Sequence, residues 1–198
     1  IGVLPETDLA VQAGLELGKS GAIKVNHNYQ TSDPSIYAVG DANEVYHKIL
    51  RKPARLTMAG PAQRQARDAA NHMYGNTVQR RGVIGSSILQ VFDYAVGSTG
   101  INEKQCLEAG IDYRYSYIIP NDKVGLIPDA KVLFFKLLFA YPTGEILGAQ
   151  AIGEGNVDKR IDIIASLITM NATIHDLADL ELAYSPTYST AKDVTNMA

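Results

Sequence analysis

The sequence predicts two differently built parts, an α/β segment over residues 1–76 and an α+β domain with a mainly antiparallel sheet over 83–198. Three observations predict it. The run "IYAV" (36–39) is continuously apolar, as expected of a strand covered on both faces of an α/β sheet. Two long apolar runs, "KVLFFKLLFAY" (131–141) and "EILGAQAIGE" (145–154), are linked by "PTG", a hairpin signal that makes them antiparallel neighbours. Between the two patterns lies "NTVQRRGVIG" (76–85), polar and glycine-bearing, which is the boundary.

In chain order, "GAIKVN" (21–26) alternates like a strand, and "NYQTSDPS" (28–35) is turn chemistry centred on Asp33-Pro34. "AGPAQRQARDAANHMYGN" (59–76) reads as a helix with Gly60 as cap, Pro61 at its first position and Gly75 at its end. Its apolar face (Ala62, Ala66, Ala69, Ala70, Met73) is mostly alanine, so its neighbour approaches closely. "SSILQVFDYAVGSTG" (86–100) reads as a strand and its following turn. "INEKQCLEAG" (101–110) is a short helix capped by Asn102, with Gln105 three residues on and Gly110 as stop. After the hairpin, "NVDKRIDIIASLITMN" (156–171) is an amphipathic helix with Ile161, Ile164, Leu167 and Ile168 on one face. Thr173 caps a further short helix with Asp176 in its first turn.

Composition removes several functions. With 46% hydrophobic and 20% charged residues, the chain reads as an ordinary soluble globular protein. A net charge of -3 gives no electrostatic case for nucleic acid or an anionic membrane. No run approaches the roughly 20 apolar residues of a membrane span. One cysteine makes no internal disulfide, so a cytoplasmic location is the default expectation. The chain opens on Ile1 and is read as part of something longer.

Cys106 lies four residues after the Asn102 cap and Ile101 just before it, the two ends of a hydrophobic staple, so the thiol is read as packing. His27, His47, His72 and His175 show no metal-ligand spacing, and no metal site is expected. "GEGNVD" (153–158) lacks the third glycine of a dinucleotide loop and follows a hairpin strand. Gly40-Asp41 is different. A glycine beyond a strand end lets a ligand approach the backbone, and a carboxylate there accepts hydrogen bonds from the hydroxyls of a sugar or sugar alcohol. A polar turn closing a core strand is the alternative reading.

"TSDPSIYAVGDA" (31–42) resembles the second FAD-binding motif of the pyridine nucleotide-disulfide oxidoreductases. "IGVLPETDLA", "AGLELGKSGAIKVN" and "RLTMAGPAQRQARDAA" resemble the family's crossover from the NADH domain and the rest of its FAD-domain end. "STGINEKQCLEAGI", "KLLFAYPTGEILGAQAIGEGNVDKRIDIIA" and "LELAYSPTYSTAKDVTNMA" resemble its dimerisation domain, in the branch with coenzyme A-disulfide reductases and NADH oxidases or peroxidases. The resemblance covers essentially the whole chain. It implies an α/β remnant of an FAD-binding domain (1–76) followed by the dimerisation domain (83–198). The family's first FAD glycine loop, active-site cysteine and NAD(P)H loop would then lie upstream of Ile1, and these 198 residues alone would be inactive.

The resemblance also implies roles. Asp41 would hold the ribityl chain of FAD, with Gly40 and Ala42 as backbone neighbours, and Met58, Ala59 and Gly60 would lie near the isoalloxazine. Gln63 and Lys192 would contact substrate. Tyr184, in "LAYSPTYSTAK" (182–192), would act in trans across a homodimer near the leaving thiol. The implied partners are NAD(P)H and a small disulfide such as coenzyme A disulfide. One departure stands out: Leu126 and Ile127 precede Pro128 where coenzyme A-disulfide reductases generally carry a second tyrosine. A NADH oxidase or peroxidase of the same family, and a non-catalytic dimerisation module, are the alternatives.

Overall fold

The computed structural model describes residues 2–76 and 82–198. It divides into two compact units, one running to Val83 and the other from Ile84 to Ala198. Residues 77–81 of the expected boundary lie outside the described residues. Val83 itself pairs with the first unit, because its N–H donates to the Tyr46 carbonyl and its carbonyl accepts the Lys48 N–H, each at 2.9 Å.

The first unit holds helix α1 (Asp8–Gln12), the antiparallel pair β1 (Val45–His47) and β2 (Lys52–Ala54), and helix α2 (Ala59–Met73). Neither "GAIKVN" nor "IYAV" becomes a regular strand here. Ile23 makes single bridges to Leu17 and Asn43, Tyr37 makes one to Gln30, and Ile36 and Val39 are both more than a third exposed. Both segments lack a ladder of neighbours among the described residues, so the expected burial on two faces does not occur. The turn at Asp33 forms as its sequence dictates, its Oδ1 accepting the Ser35 N–H at 2.8 Å. Helix α2 begins one residue before the Gly60 cap expected, with Met58 in the cap position. Its buried residues are Gln65 and Ala69, while Ala66, Ala70 and Met73 face outward. The alanine face was misjudged by one step around the helix, because a glutamine occupies the inward position.

The second unit is a five-stranded antiparallel sheet of order β3-β4-β7-β6-β5. Its strands are β3 (Ser87–Val91), β4 (Tyr94–Gly100), β5 (Tyr113–Ile118), β6 (Leu133–Ala140) and β7 (Ile146–Gly153). The stretch read as one strand is a hairpin, β3 and β4 turning at Phe92, whose φ is +53°. Strand β5, "YRYSYI", escapes the sequence reading. Helix α3 (Glu103–Ala109) has the full capping box at Asn102 and Gln105 and ends on left-handed Gly110, as expected. Helices α4 (Val157–Thr169), α5 (Ile174–Ala178, capped by Thr173 and Asp176) and α6 (Val194–Met197) complete the unit.

Strand register explains where the core lies. Leu133, Phe135 and Leu137 of β6 stand beside Gly153, Ala151 and Ala149 of β7, and Ala95, Gly97 and Thr99 of β4 continue those rows. This face carries α4: a Cβ on Gly97 would lie 2.7 Å from Ile161 and 3.0 Å from Val157. Small residues on β4 and β7 therefore let α4 seat its Val157–Ile161–Ile164–Ile168 stripe directly on the sheet. Gly148, beside Gly100, is required for a similar reason, since a Cβ there would lie 2.1 Å from the Ile101 carbonyl. The opposite face puts Leu89, Val96, Ile152 and Phe134 side by side across four strands. Leu89, Ile152 and Phe134 are all exposed there.

Candidate functional site

The turn at Gly40 is built from backbone bonds on either side of it. Ala38 N–H donates to the Tyr29 carbonyl at 3.0 Å, and Ile23 N–H donates to the Ala42 carbonyl at 2.8 Å. Between these anchors the chain reverses at Gly40, whose φ of +95° disfavours any side chain. The Gly40 N–H donates to Oε1 of Gln65 at 2.8 Å, tying the turn to the second turn of α2. Asp41 projects an exposed carboxylate that makes no hydrogen bond or ion pair with the described residues. Asn43 and Glu44, just beyond, are buried. Glu44 accepts the Ser20 hydroxyl at 2.8 Å and the Ser20 N–H at 3.1 Å.

The start of α2 is open. Met58 has extended backbone and makes no side-chain cap, no acidic residue sits in the first turn, and Pro61 has no N–H to donate. Ala62 N–H reaches back to the Met58 carbonyl at 3.1 Å. The N–H groups of Ala59 and Gly60 precede the first intrahelical bond, and such groups with the helix dipole favour an electron-rich or anionic partner. Nothing lies within 4 Å of a Cβ built on Gly40 or on Gly60, so a ligand has room against both. Gln63 is exposed on this first turn.

Two buried polar atoms beside the turn lack partners in the described structure, Gln65 Nε2 and Asn43 Oδ1. An unpaired buried donor and acceptor are costly, and native proteins supply them with water or ligand. An exposed acceptor at Asp41, free helix N–H groups and two open glycines are a donor and acceptor set that fits the polyol and ring of a flavin.

Tyr184 and Lys192 lie in the second unit, on the segment between α5 and α6, and both side chains are exposed. That segment is pinned at its two ends. Asn196 Nδ2 donates to the Leu177 and Leu180 carbonyls at 2.9 and 3.1 Å. Asp193 meets Arg160, a wholly buried side chain of α4, with Nη2 donating to Oδ2 at 2.9 Å and Nε to Oδ1 at 3.3 Å. Arg160 Nη2 also donates to the Asp122 carbonyl at 2.9 Å, and Asp193 Oδ1 caps α6 through the Thr195 N–H at 3.1 Å.

The sequence reading missed Gln65 and Arg160. Both had a signal in helical periodicity: Arg160 precedes Ile161 and Ile164 on one stripe, and Gln65 lies three residues after Ala62 and four before Ala69. Cys106 is packed as expected. It is fully buried, and desolvation first, then the Glu103 charge, push its thiol pKa up, away from reactivity. Glu103 itself pairs with Lys136 and accepts the Tyr113 hydroxyl, and Lys136 stands 4.6 Å from the Tyr115 ring centre. Among the described residues no group of histidine, cysteine or acidic side chains is arranged to hold a metal. A shallow depression of about 590 Å³ beside α3 and β5, lined by Leu107, Ile111, Tyr113 and Arg114 among others, contains none of the predicted site residues. Among the described residues no helix is long and apolar enough to cross a membrane.

A fold with this turn-and-helix element and this sheet defines a class. The family model for the pyridine nucleotide-disulphide oxidoreductase dimerisation domain matches residues 86–195, and that for the pyridine nucleotide-disulphide oxidoreductases matches 1–66. The chain belongs to the pyridine nucleotide-disulphide oxidoreductase family, whose members depend on FAD and NAD(P)H. It is 32% identical to a coenzyme A disulfide reductase of Staphylococcus epidermidis over all 198 residues, which are 45% of that protein. The chain thus spans less than half the length of that curated relative. Its structure is similar to that of reduced CoADR-RHD from Bacillus anthracis, with a TM-score of 0.96 and 46% identity over 100% of this chain and 36% of that one. It is also similar to a NAD-dependent persulfide reductase from A. fulgidus, with a TM-score of 0.94 and 37% identity over 99% of this chain and 36% of that one.

Proposed function

We propose that this chain supplies the ribityl-binding turn and the dimer-forming sheet of a flavoprotein reductase that uses NAD(P)H to reduce a small disulfide or persulfide, coenzyme A disulfide foremost. The observation that carries the reading is the Gly40-Asp41 turn, held on α2 with the Asp41 carboxylate exposed and unpaired. In this reading Asp41 accepts hydrogen bonds from ribityl hydroxyls while Gly40 and Ala42 keep the backbone close. Met58, Ala59 and Gly60 present the α2 N–H groups to the ring, where the helix dipole favours electron density. Bound FAD would pass an electron pair from the nicotinamide to the disulfide. Gln63 and Lys192 orient the substrate, and Tyr184, acting in trans, donates a proton to the thiolate that leaves the disulfide at the partner subunit's site. The relatives named for coenzyme A disulfide and persulfide support the substrate class.

The sheet and the family's dimerisation domain support a homodimer. The row Leu89, Val96, Ile152 and Phe134 is a contiguous apolar surface, which soluble proteins cover, and two-fold pairing is the commonest cover. A cytoplasmic location completes the reading, supported by a lone buried thiol and no disulfide.

Asp41→Ala in the full-length protein tests the flavin assignment. Losing hydrogen bonds to an ionised acceptor costs about 1.5–3 kcal/mol, so FAD should bind about ten- to a hundred-fold more weakly. Equilibrium dialysis against FAD reads this, and unchanged affinity removes Asp41 from the site. Turnover of oxygen or peroxide in preference to coenzyme A disulfide would move the reading to the oxidase alternative.

A further inference from the structure

Gln65 belongs to none of the roles assigned above, yet it joins the two flavin-facing elements. Its side chain is 1% exposed, and its Oε1 accepts the Gly40 N–H at 2.8 Å. Between the Ala38 and Ala42 anchors this is the bond that fixes the reversal. Nothing lies within 4 Å of a Cβ built on Gly40, so no neighbour presses on the turn at that point. A glycine has many alternatives to a φ of +95°. The other end of the amide, Nε2, is buried without a partner among the described residues. Among the described residues the amide's hydrogen bond is the one it accepts from Gly40, so the effect of its burial falls on the turn.

We propose that Gln65 is a positioning residue for the flavin. It clamps the Gly40-Asp41 turn to α2, so that the Asp41 carboxylate and the free N–H groups of Ala59 and Gly60 keep one fixed separation. Two contacts to neighbouring parts of one ligand gain affinity from such preorganisation, because the protein then loses little freedom on binding. The inference rests on the assignment of Asp41 to the flavin, and it assigns Gln65 no contact with substrate.

The test uses the full-length protein stripped of flavin and titrated with FAD, with far-UV circular dichroism as the fold control. The variants are Gln65→Met, Gln65→Glu, Asp41→Ala and the pair Gln65→Met/Asp41→Ala. Gln65→Met keeps shape and removes the acceptor, and it should weaken FAD at least tenfold and alter the shape of the bound flavin's visible band. Gln65→Glu at pH 6 keeps the acceptor, since burial favours the neutral carboxyl, and should stay within threefold of the parent. The pair should bind no more than about twofold weaker than Asp41→Ala alone, because Gln65 acts through the turn that Asp41 occupies. FAD affinity within threefold for Gln65→Met, beside a clear loss for Asp41→Ala, overturns the clamp and leaves the flavin assignment standing. Fully additive losses also overturn it, because Gln65 would then act independently of Asp41. An unchanged Asp41→Ala overturns the flavin assignment and this inference with it. Should Gln65→Met fail to fold, Gln65→Glu decides: native circular dichroism with a tenfold loss of FAD is the overturning result.

Discussion

The two units keep their shapes by different physics. The second unit buries large apolar side chains, Phe135, Leu133, Leu137, Ile146, Ile161 and Ile164, between one sheet and one helix. The first buries small residues, Ala10, Ala22, Val45 and Ala69, and beside them polar ones, Asn43, Glu44, His47 and Gln65. Its chain path follows side-chain-to-backbone bonds, Glu44 to Ser20, Asp33 to Ser35 and Gln65 to Gly40, where the second unit has ladders of strand pairing. A polar framework spaces backbone groups and carboxylates for a ligand, whereas an apolar sheet spaces nothing but offers a flat surface to another protein. The residues proposed for flavin collect in the first unit, whereas Tyr184, Lys192 and the exposed apolar row lie in the second.

Hydrogen exchange read peptide by peptide breaks or sharpens this contrast, since it follows each unit separately. The largest effect should come from Phe135→Ala, on the α4-facing side of β6, which should cost the second unit about 3–5 kcal/mol. Protection should fall throughout β4, β6, β7 and α4. A loss under about 1 kcal/mol would show that apolar packing is not what holds the sheet.

Asp193→Ala comes next. It leaves the Arg160 guanidinium buried without its carboxylate and removes the α6 cap, at a cost of about 3 kcal/mol. Protection of the 180–198 segment should fall most, while the first unit stays as it was. Replacing Arg160 by Met in the same chain should recover much of the loss, because the stranded charge is then gone. No recovery would mean that Asp193 acts through the α6 cap alone.

The smallest effect is a pH response confined to the first unit. Burial first, and then the nearby Lys52 charge, lower the His47 pKa below its ordinary value near 6.5. Its Nδ1 accepts the Leu50 N–H at 3.3 Å, which also requires an unprotonated nitrogen. The unfolded chain therefore takes up a proton at a higher pH than the folded one. Stability contributed by neutral His47 is complete above about pH 6.5 and is lost as pH falls below it, towards the folded pKa. His47→Gln should flatten that slope between pH 5 and 7, and an unaltered slope would assign the response to another group.

Much of the second unit was legible because its signals are local. Asn102 and Gln105 sit at capping-box spacing, Gly110 follows the last turn, and "PTG" separates two apolar runs, so each structure needs only residues a few positions apart. The Gly40-Asp41 motif was legible as a string of residues, and its φ of +95° is what a glycine after an apolar run allows. Strand β5 was overlooked although "YRYSYI" alternates tyrosine with arginine and serine at a strand's period, and it pairs along its length with β6. The β3–β4 hairpin was hidden by Phe92 and Asp93, which lack the glycine that usually marks so tight a turn.

The amino-acid sequence by itself determined helices α2 to α5, the capping boxes of α3 and α5, the central hairpin, the apolar character of the sheet and the family to which the chain belongs. Each of those follows from near neighbours or from a linear motif. Only the tertiary structure decided that "IYAV" stays half-exposed, that Arg160 finds Asp193 thirty-three residues away, and that Gln65 reaches Gly40 from twenty-five residues on. The reason is physical. A buried polar side chain is set by its need for a partner, and that partner is chosen by which surfaces the folded chain brings together.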